Sequence, residues 1–300
     1  MVTNRREFMH YSAAAALAAS IPVTTGAADQ QTMATRTIPG TDEELAVVGL
    51  GNAKPFAAGD KERTGQLLDI LMEHGGGYVD TSWRGRFTVG QVMRERQAHD
   101  RLFLGTYLEG QDPQSLSDEI KAVQDAQGGG VLDLVLSREP AAYLARSDEF
   151  LRLKEDGLTR YVGVARQNER FYPPMMEAMR LGVVDFIQVN YSMLEPGAAD
   201  QVLPLALEKK VAVIINRPFV NGGYFPLVSG RELPDWAAEF DCRSWAQFSL
   251  KFILAHPAVN CVITETENPR HAVDNLTAGV GRLPDAETQQ RMRKVIQGLM

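Results

Sequence analysis

Residues 157–192, which read GLTRYVGVARQNERFYPPMMEAMRLGVVDFIQVNYS, contain the pattern on which the fold prediction rests. Two short runs rich in valine, isoleucine and aromatic residues, 160–165 and 186–190, flank an amphipathic segment at 173–181. That segment stops before Gly182, and glycine commonly ends helices. A strand, a helix and a second strand in this order form the unit from which parallel sheets are built.

The same alternation extends in both directions from this stretch. The other predicted strands are 45–50, 77–80, 102–107, 132–137, 211–216 and 260–264. The other predicted helices are 61–74, 147–156, 200–209, 244–256 and 285–298. The strands show little polar alternation, as expected when both faces are buried. Eight strands alternating with helices predict a closed (βα)8 barrel, a TIM barrel of the α/β class. An open doubly wound sheet is the alternative, but no Gly-x-Gly-x-x-Gly follows the first strand.

The first 28 residues are expected to be an export signal and not part of the fold. Arg5 and Arg6 stand next to each other, an alanine-rich apolar run follows at 11–23, and small residues come at 26–28. This order resembles a twin-arginine signal peptide. The alternative is a fortuitous arginine pair before an ordinary first helix. The apolar run is too short for a lasting membrane span. We therefore expect residues 29–300 to form one barrel domain, exported by the twin-arginine machinery to the periplasm or the medium.

Composition excludes several functions. A net charge of −7 and a pI of about 5.4 argue against a uniformly basic nucleic-acid-binding protein. The five histidines lack metal-ligand spacing. An exported protein can form disulfides, but we expect Cys242 and Cys261 to be two free thiols and not a bridge.

Functional residues of such a barrel lie at the carboxyl ends of the strands. Five arginines fall in or beside these positions, namely Arg84, Arg86, Arg138, Arg166 and Arg217. If they converge, they form a cationic mouth for a small carboxylate or phosphate, which guanidinium groups bind bidentately. The alternative is that partners such as Glu139 and Glu169 neutralise them, or that they face solvent. Trp83 is either a platform for a ligand or a packing residue.

Eight segments in chain order resemble the aldo-keto reductases over nearly all of residues 29–300. They are 77–82, 131–135, 157–164, 185–192, 213–219, 244–248, 256–259 and 274–276. The resemblance implies a (βα)8 barrel and an oxidoreductase that reduces carbonyl groups with NAD or NADP. That family uses four residues: an aspartate, a tyrosine, a lysine and a histidine. The tyrosine supplies the proton that the alkoxide requires after hydride addition.

Only the aspartate of these four is matched, by Asp80. The segment 81–87, where the family's tyrosine belongs, contains no tyrosine. Tyr107 stands where the lysine is usual, and Arg138 stands where the histidine is usual. The resemblance therefore indicates a divergent or non-catalytic member, and the strand-end arginines predict that it binds a small anionic ligand.

The resemblance also assigns contacts for the cofactor. These positions are Arg166, Gln188, Asn216, Arg217, Thr266, Asn268, His271 and Asn275. Gln188 keeps the family's amide ligand to the nicotinamide, whereas Asn216 replaces an aromatic residue. Glu265, with Glu267 nearby, stands where a cation often meets the 2′-phosphate. Each carboxylate would repel that phosphate by about 1 kcal/mol when partly buried, which disfavours NADP more than NAD.

Two other interpretations stay open at this point. In the first, the protein is a working reductase in which Tyr107 donates the proton beside Arg138, which Asp80 holds; the structural alternative is a plain ion pair of Asp80 and Arg138 under Tyr107. In the second, the barrel is structural or binds a partner, and its own side chains fill the mouth.

Overall fold

The computed structural model describes residues 32–82, 84–108 and 113–300, with the backbone alone for 113–115. The predicted signal peptide and Trp83 lie outside the described residues, so the domain boundary after residue 28 stays a prediction. Residues from 31 to 300 group into one compact unit.

The chain begins with an antiparallel hairpin and then enters a closed barrel. The hairpin pairs β1 (Thr35–Thr37) with β2 (Glu44–Ala46). The barrel strands are β3 (Val48–Leu50), β4 (Tyr78–Thr81), β5 (Phe103–Tyr107), β6 (Leu132–Ser137), β7 (Thr159–Ala165), β8 (Phe186–Asn190), β9 (Ala212–Asn216) and β10 (Cys261–Thr264). Each pairs in parallel with the next, and β10 pairs with β3 to close the circle. The predicted (βα)8 barrel is confirmed, and the open sheet is excluded.

The prediction of a single strand over 45–50 was wrong. Val47 separates β2 from β3, because its amide donates to the carbonyl of Ala34 while its own carbonyl accepts from Val262 in β10. The chain therefore changes pairing partner at this residue. An uninterrupted apolar run does not reveal such a change, since both strands are buried.

Helices surround the barrel. They are α1 (Lys54–Ala58), α2 (Lys61–Glu73), α3 (Gly85–Glu95), α4 (Pro113–Gln127), α5 (Pro140–Ala145), α6 (Ser147–Glu155), α7 (Tyr172–Leu181), α8 (Ala198–Lys209), α9 (Phe225–Val228), α10 (Trp245–Leu254), α11 (Pro269–Thr277) and α12 (Ala286–Gln297). Short 3₁₀ helices cover Glu169–Phe171, Val220–Gly222 and Asp235–Phe240. The predicted helices correspond to α2, α6, α7, α8, α10 and α12, with ends that differ by at most two residues. No helix in the described ranges combines the length and hydrophobicity that a membrane span requires.

Local sequence explains several helix ends. Asp60, Ser244 and Asp285 each accept a hydrogen bond from a backbone amide in the first turn of α2, α10 and α12. Such caps satisfy amides that have no partner within the helix. Gly182 follows α7 with φ of 69°, a left-handed conformation that favours glycine.

Aromatic side chains fill the amino-terminal half of the barrel interior. Tyr78, Phe103 and Phe186 are buried there, and the ring of Phe103 lies 5.8 Å from that of Tyr78 and 6.0 Å from that of Phe186. Tyr161 completes the layer, with its ring 5.3 Å from Phe186. Because this half is filled, a ligand can enter the barrel only from the carboxyl ends of the strands, where the polar side chains lie.

Both cysteines are buried and unpaired. Cys261 begins β10 inside the barrel, and Cys242 lies before α10. Burial raises the pKa of the Cys242 thiol to about 11, so this thiol is protonated and unreactive at neutral pH.

Candidate functional site

Asp80, in β4, is the buried centre of the polar layer. The hydroxyl of Tyr107 in β5 donates to its Oδ2 at 3.0 Å, and the hydroxyl of Tyr78 lies 3.4 Å from Oδ1. The amide nitrogen of Gln188 in β8 lies 3.5 Å from Oδ2. The strand of Asp80 itself, the neighbouring β5 and the more distant β8 thus direct neutral hydrogen-bond donors at one carboxyl group.

Burial governs the ionisation of this group. Desolvation raises the pKa of Asp80 to about 7, while the hydrogen bonds from Tyr107 and Gln188 lower the pKa in part. Burial also raises the pKa of Tyr107 well above its ordinary value, and the charge of Asp80 adds to the effect. Tyr107 is therefore the proton donor in this hydrogen bond when Asp80 is ionised.

A cavity of about 120 Å³ opens beside this group at the carboxyl ends of the strands. Its lining residues are Tyr107, Arg138, Ala165, Arg166, Gln167 and Asn216. They come from the ends of β5, β6, β7 and β9 or from the residues that follow, which is where (βα)8 barrels hold their ligands. A cavity of roughly 150 Å³ holds a benzene molecule, so this one accepts a molecule of only a few heavy atoms.

Two of the five arginines line this cavity. The guanidinium carbon of Arg138 lies 4.5 Å from the centre of the Tyr107 ring, a cation–π contact. In the part of the chain that the structure describes, no carboxylate lies within ion-pair distance of Arg138. Arg166 forms an ion pair with Glu139 and stacks over Phe171 at 4.2 Å. Glu139 is one of the two glutamates expected to neutralise these arginines in the alternative prediction.

The other three arginines do not reach the cavity wall. Arg217 pairs with Glu195 at 3.3 Å and donates to the carbonyl of Gln167 at 3.3 Å. Arg86 belongs to α3, is buried, and donates to the carbonyl of Tyr107 at 3.0 Å. Arg84 is exposed. The expected convergence is thus limited to Arg138 and Arg166.

The expected contact between Asp80 and Arg138 requires a correction. The two side chains do not form an ion pair; Tyr107 lies between them, with its hydroxyl on Asp80 and its ring against Arg138. Arg138 still lowers the pKa of Asp80, but this is the smallest of the resolved effects. The sequence places both residues at strand ends but gives no direction for either side chain.

The predicted contacts for the nicotinamide include two buried amide oxygens without hydrogen bonds. They are Oε1 of Gln188 and Oδ1 of Asn216. Both side chains are more than 90% buried, and unpaired buried acceptors are uncommon in folded proteins. They fit a ligand that carries hydrogen-bond donors.

The predicted adenosine contacts lie around the start of α11. Asn268 caps this helix through Arg270, and its side-chain nitrogen lies 3.4 Å from Nε2 of His271. The hydroxyl of Thr266 accepts from the amide of Asn268 at 3.1 Å. Asn275 is buried in the same helix. Partial desolvation raises the pKa of the neighbouring Glu265, while Arg138 lowers it.

Sequence reasoning missed Tyr78 and Gln167. Tyr78 and Asp80 are two residues apart in one strand, so both side chains face the barrel interior; this spacing was a usable signal. Gln167 follows β7 in an irregular segment, and no pattern in the sequence places it on the cavity. Within the described residues, no group of histidine, cysteine and acidic side chains is arranged to hold a metal ion.

Comparison with known proteins identifies one matching family and several solved structures of similar fold. The model of the aldo/keto reductase family matches residues 48–296. The holo form of the aldo-keto reductase AKR11C1 from Bacillus halodurans is 21% identical, with a TM-score of 0.72 over 88% of this chain and 96% of that chain. An aldo-keto reductase from Klebsiella pneumoniae in complex with NADPH is 18% identical, with a TM-score of 0.72 over the same shares. A Klebsiella pneumoniae structure with NADP and acetate is 17% identical, with a TM-score of 0.71 over 89% and 96%. No curated protein sequence matches the chain.

The raised pKa of Asp80 predicts a specific pH dependence of stability. Its pKa is about 7 in the folded protein and about 4 in an unfolded chain. The folded state therefore holds the proton more tightly, and the stabilisation is lost as pH rises towards 7. We expect Asp80→Asn to gain about 3 kcal/mol relative to the wild type between pH 5 and pH 8, because the variant has no carboxyl to ionise. Urea unfolding at both pH values measures this, and equal changes for the two proteins would contradict it.

Proposed function

We propose that this chain, which belongs to the aldo/keto reductase family of oxidoreductases, binds a small anionic molecule in the cavity at the mouth of its barrel. We further propose that it is a divergent member that does not use the family's usual four catalytic residues. The observation that carries this proposal is Arg138, a cation on the cavity wall that forms no ion pair with a carboxylate of the described residues.

Arg138 is held in a position to bind an anion. Its guanidinium carbon lies 4.5 Å from the centre of the Tyr107 ring, and this contact holds the group at the cavity. A guanidinium binds a carboxylate through two parallel hydrogen bonds, and it is less strongly hydrated than an ammonium group. Arg166, on the same wall, adds a second guanidinium, but Glu139 offsets its charge. Arg138 is therefore the main anchor.

The size and lining of the cavity define the ligand class. A volume of about 120 Å³ excludes large anions. Asn216 and Ala165 also line the cavity and provide one polar and one apolar contact. These features fit a short ionised carboxylic acid that also carries a hydroxyl or amino group, with its carboxylate on Arg138 and its hydrogen-bond donor on the unpaired Oδ1 of Asn216.

A second candidate function is carbonyl reduction with Tyr107 as the proton donor. Tyr107 lines the cavity, and its hydroxyl is hydrogen-bonded to Asp80. A bound reduced nicotinamide would supply the hydride. Tyr107 would then protonate the alkoxide, and Asp80 would restore the proton. The unpaired amide oxygens of Gln188 and Asn216 fit the amide group of a nicotinamide. The raised pKa of Tyr107 makes it a weak acid, which is why anion binding stands first.

The acidic residues beside the predicted adenosine contacts favour the cofactor without a 2′-phosphate. Glu267 pairs only with Lys54, at 3.6 Å, and both side chains are exposed. Glu265 has no ion-pair partner among the described residues. Two carboxylates would repel a 2′-phosphate. The Klebsiella pneumoniae structures contain NADPH or NADP, and we propose that this chain prefers NADH.

We also propose that the protein is exported by the twin-arginine route and works in the periplasm or the medium. Arg5 and Arg6, followed by the apolar run at 11–23, support this. The route would allow any cofactor to be loaded before export. A binding protein needs no reduced nicotinamide outside the cytoplasm, so this location agrees with the first candidate function.

Acetate tests the anion site. We expect Arg138→Gln to weaken acetate binding by roughly tenfold to a hundredfold, because it removes a charged hydrogen-bond donor. Arg166→Gln should have a smaller effect, since Glu139 already offsets that charge. Arg152→Gln, on the exposed face of α6, removes the same charge and should leave binding unchanged. Calorimetric titration measures all three. Equal affinity of Arg138→Gln and wild type would reject the site.

Nucleotide titration tests the second candidate function. We expect NADH to bind more tightly than NADPH. Glu265→Gln combined with Glu267→Gln should narrow that difference in affinity by up to about thirtyfold, since each carboxylate contributes about 1 kcal/mol of repulsion. Fluorescence of the bound nucleotide gives the affinities. If neither nucleotide binds at millimolar concentration, the reductase candidate is excluded and the anion site is unaffected.

Cell fractionation tests export. We expect Arg5→Lys combined with Arg6→Lys to retain the protein in the cytoplasm. The matched control, Arg291→Lys with Arg293→Lys in α12, should be exported like the wild type. Export of the signal variant at the normal level would show that the arginine pair is fortuitous.

A further inference from the structure

We propose that Asp80, acting through Tyr107, couples anion binding to the uptake of one proton, so that the cavity holds its carboxylate ligand only while Asp80 is protonated. This inference rests on the proposed anion-binding function and assigns Asp80 as a positioning residue for it. The relevant geometry is the position of Tyr107, which donates its hydroxyl hydrogen to the buried carboxyl group and also lines the cavity.

The hydroxyl of Tyr107 has one hydrogen atom and two places to direct it. In the structure it donates to Oδ2 of Asp80 at 3.0 Å. Tyr107 also lines the cavity. While its hydrogen points to Asp80, the phenol oxygen can offer a ligand only lone pairs. A carboxylate in the cavity also has only lone pairs to offer, so the two oxygens repel each other.

Protonation of Asp80 reverses this hydrogen bond. A proton on Oδ2 lets the carboxylic acid donate to the phenol oxygen of Tyr107. The hydrogen of Tyr107 is then free to donate to a ligand oxygen. Tyr78 can continue to donate to Oδ1, from which it lies 3.4 Å. One proton is taken from solvent, no heavy atom has to move, and the wall of the cavity changes from acceptor to donor.

Charge acts in the same direction as hydrogen bonding. Titratable and polar side chains face Asp80 from four strands and from the segments after β6 and β10. They are Tyr78, Tyr107, Arg138, Gln188, Cys261 and Glu265. Burial raises the pKa values of Tyr78 and Cys261 above neutrality, so both are uncharged. Glu265 is the other acid of the set, and Arg138 is its one cation.

Ligand binding changes the balance of these charges. Arg138 favours ionised Asp80 until a carboxylate engages its guanidinium group. The ligand neutralises that cation and places a second negative charge near the buried carboxyl group. Both effects increase the affinity of Asp80 for a proton. Since the pKa of Asp80 is already about 7, the proton can be supplied near neutral pH.

Acetate titration of the full chain from pH 6 to pH 9 tests this coupling. Acetate is a suitable probe because carboxylic acids of this type ionise near pH about 4, so the probe itself does not titrate in this range. Uptake of one proton predicts that acetate affinity falls close to tenfold for each pH unit above 7 and levels off near pH 6. Calorimetry at pH 8 in two buffers of different ionisation enthalpy should count close to one proton taken up.

Three variants separate coupling from a merely structural role. Asp80→Asn has no proton to exchange, and its amide can donate to Tyr107 as the protonated acid would. It should bind acetate at every pH with the affinity that the wild type shows at pH 6. Tyr107→Phe removes the shared hydroxyl and should bind acetate more weakly at pH 6, with a shallower pH dependence. Asp148→Asn, the matched control, removes an exposed carboxylate in the first turn of α6 and should keep the wild-type slope.

The outcomes distinguish this inference from the function on which it rests. A flat wild-type profile with measurable acetate binding, or an unchanged slope in Asp80→Asn, overturns the coupling and leaves the anion site in place. Absence of acetate binding to the wild type at pH 6 overturns the anion site itself. A tenfold slope per pH unit that disappears in Asp80→Asn and persists in Asp148→Asn supports both.

Discussion

The burial of one carboxyl group among neutral donors is the constraint on which the candidate site depends. Asp80 is removed from water in the barrel interior and makes no ion pair, so its hydrogen bond with Tyr107 is its main compensation. That bond fixes the Tyr107 ring at the cavity, and the ring in turn supports Arg138. The position of Arg138, the position of Tyr107 on the cavity wall and the ionisation of Asp80 therefore all depend on the hydrogen bond between Tyr107 and Asp80.

Ion pairs between its own side chains close part of the barrel mouth, and the rest of the mouth is open. Arg166 with Glu139, and Arg217 with Glu195, join the segments after neighbouring strands and offset each other's charges. Arg138 has no such partner among the described residues, and the cavity beside it keeps a volume of about 120 Å³. A mouth filled entirely by its own side chains does not agree with this geometry. A small anionic ligand agrees with this geometry, because Arg138 is available to bind it.

Much of the fold could be predicted because hydrophobic runs mark buried parallel strands. The run at 186–190 coincides with β8, whereas the run at 45–50 hides a change of pairing partner at Val47. The candidate site was harder to predict, because the end of a strand gives the position of a residue but not the direction in which its side chain points. Arg138 and Arg86 both looked like mouth residues, but Arg86 lies in a helix and is buried against the carbonyl of Tyr107. Glu195, the partner of Arg217, is distant in sequence, and no local pattern pairs them.

A barrel of this kind can change its chemistry and keep its fold, because the side chains that stabilise the fold and those that form the site lie largely in different layers. Phe103, Phe186 and Tyr161 fill the lower interior, and Tyr78 joins this layer to the polar layer above it through its hydroxyl. A fold does not determine the chemistry of the site that it carries. The family resemblance places a lysine where this chain has Tyr107. A lysine beside Asp80 would hold the aspartate ionised, whereas a tyrosine leaves it able to exchange a proton near neutral pH. In the proposed function, Asp80 does not hold a lysine. Its protonation state instead determines whether the Tyr107 hydroxyl can donate a hydrogen bond to the ligand.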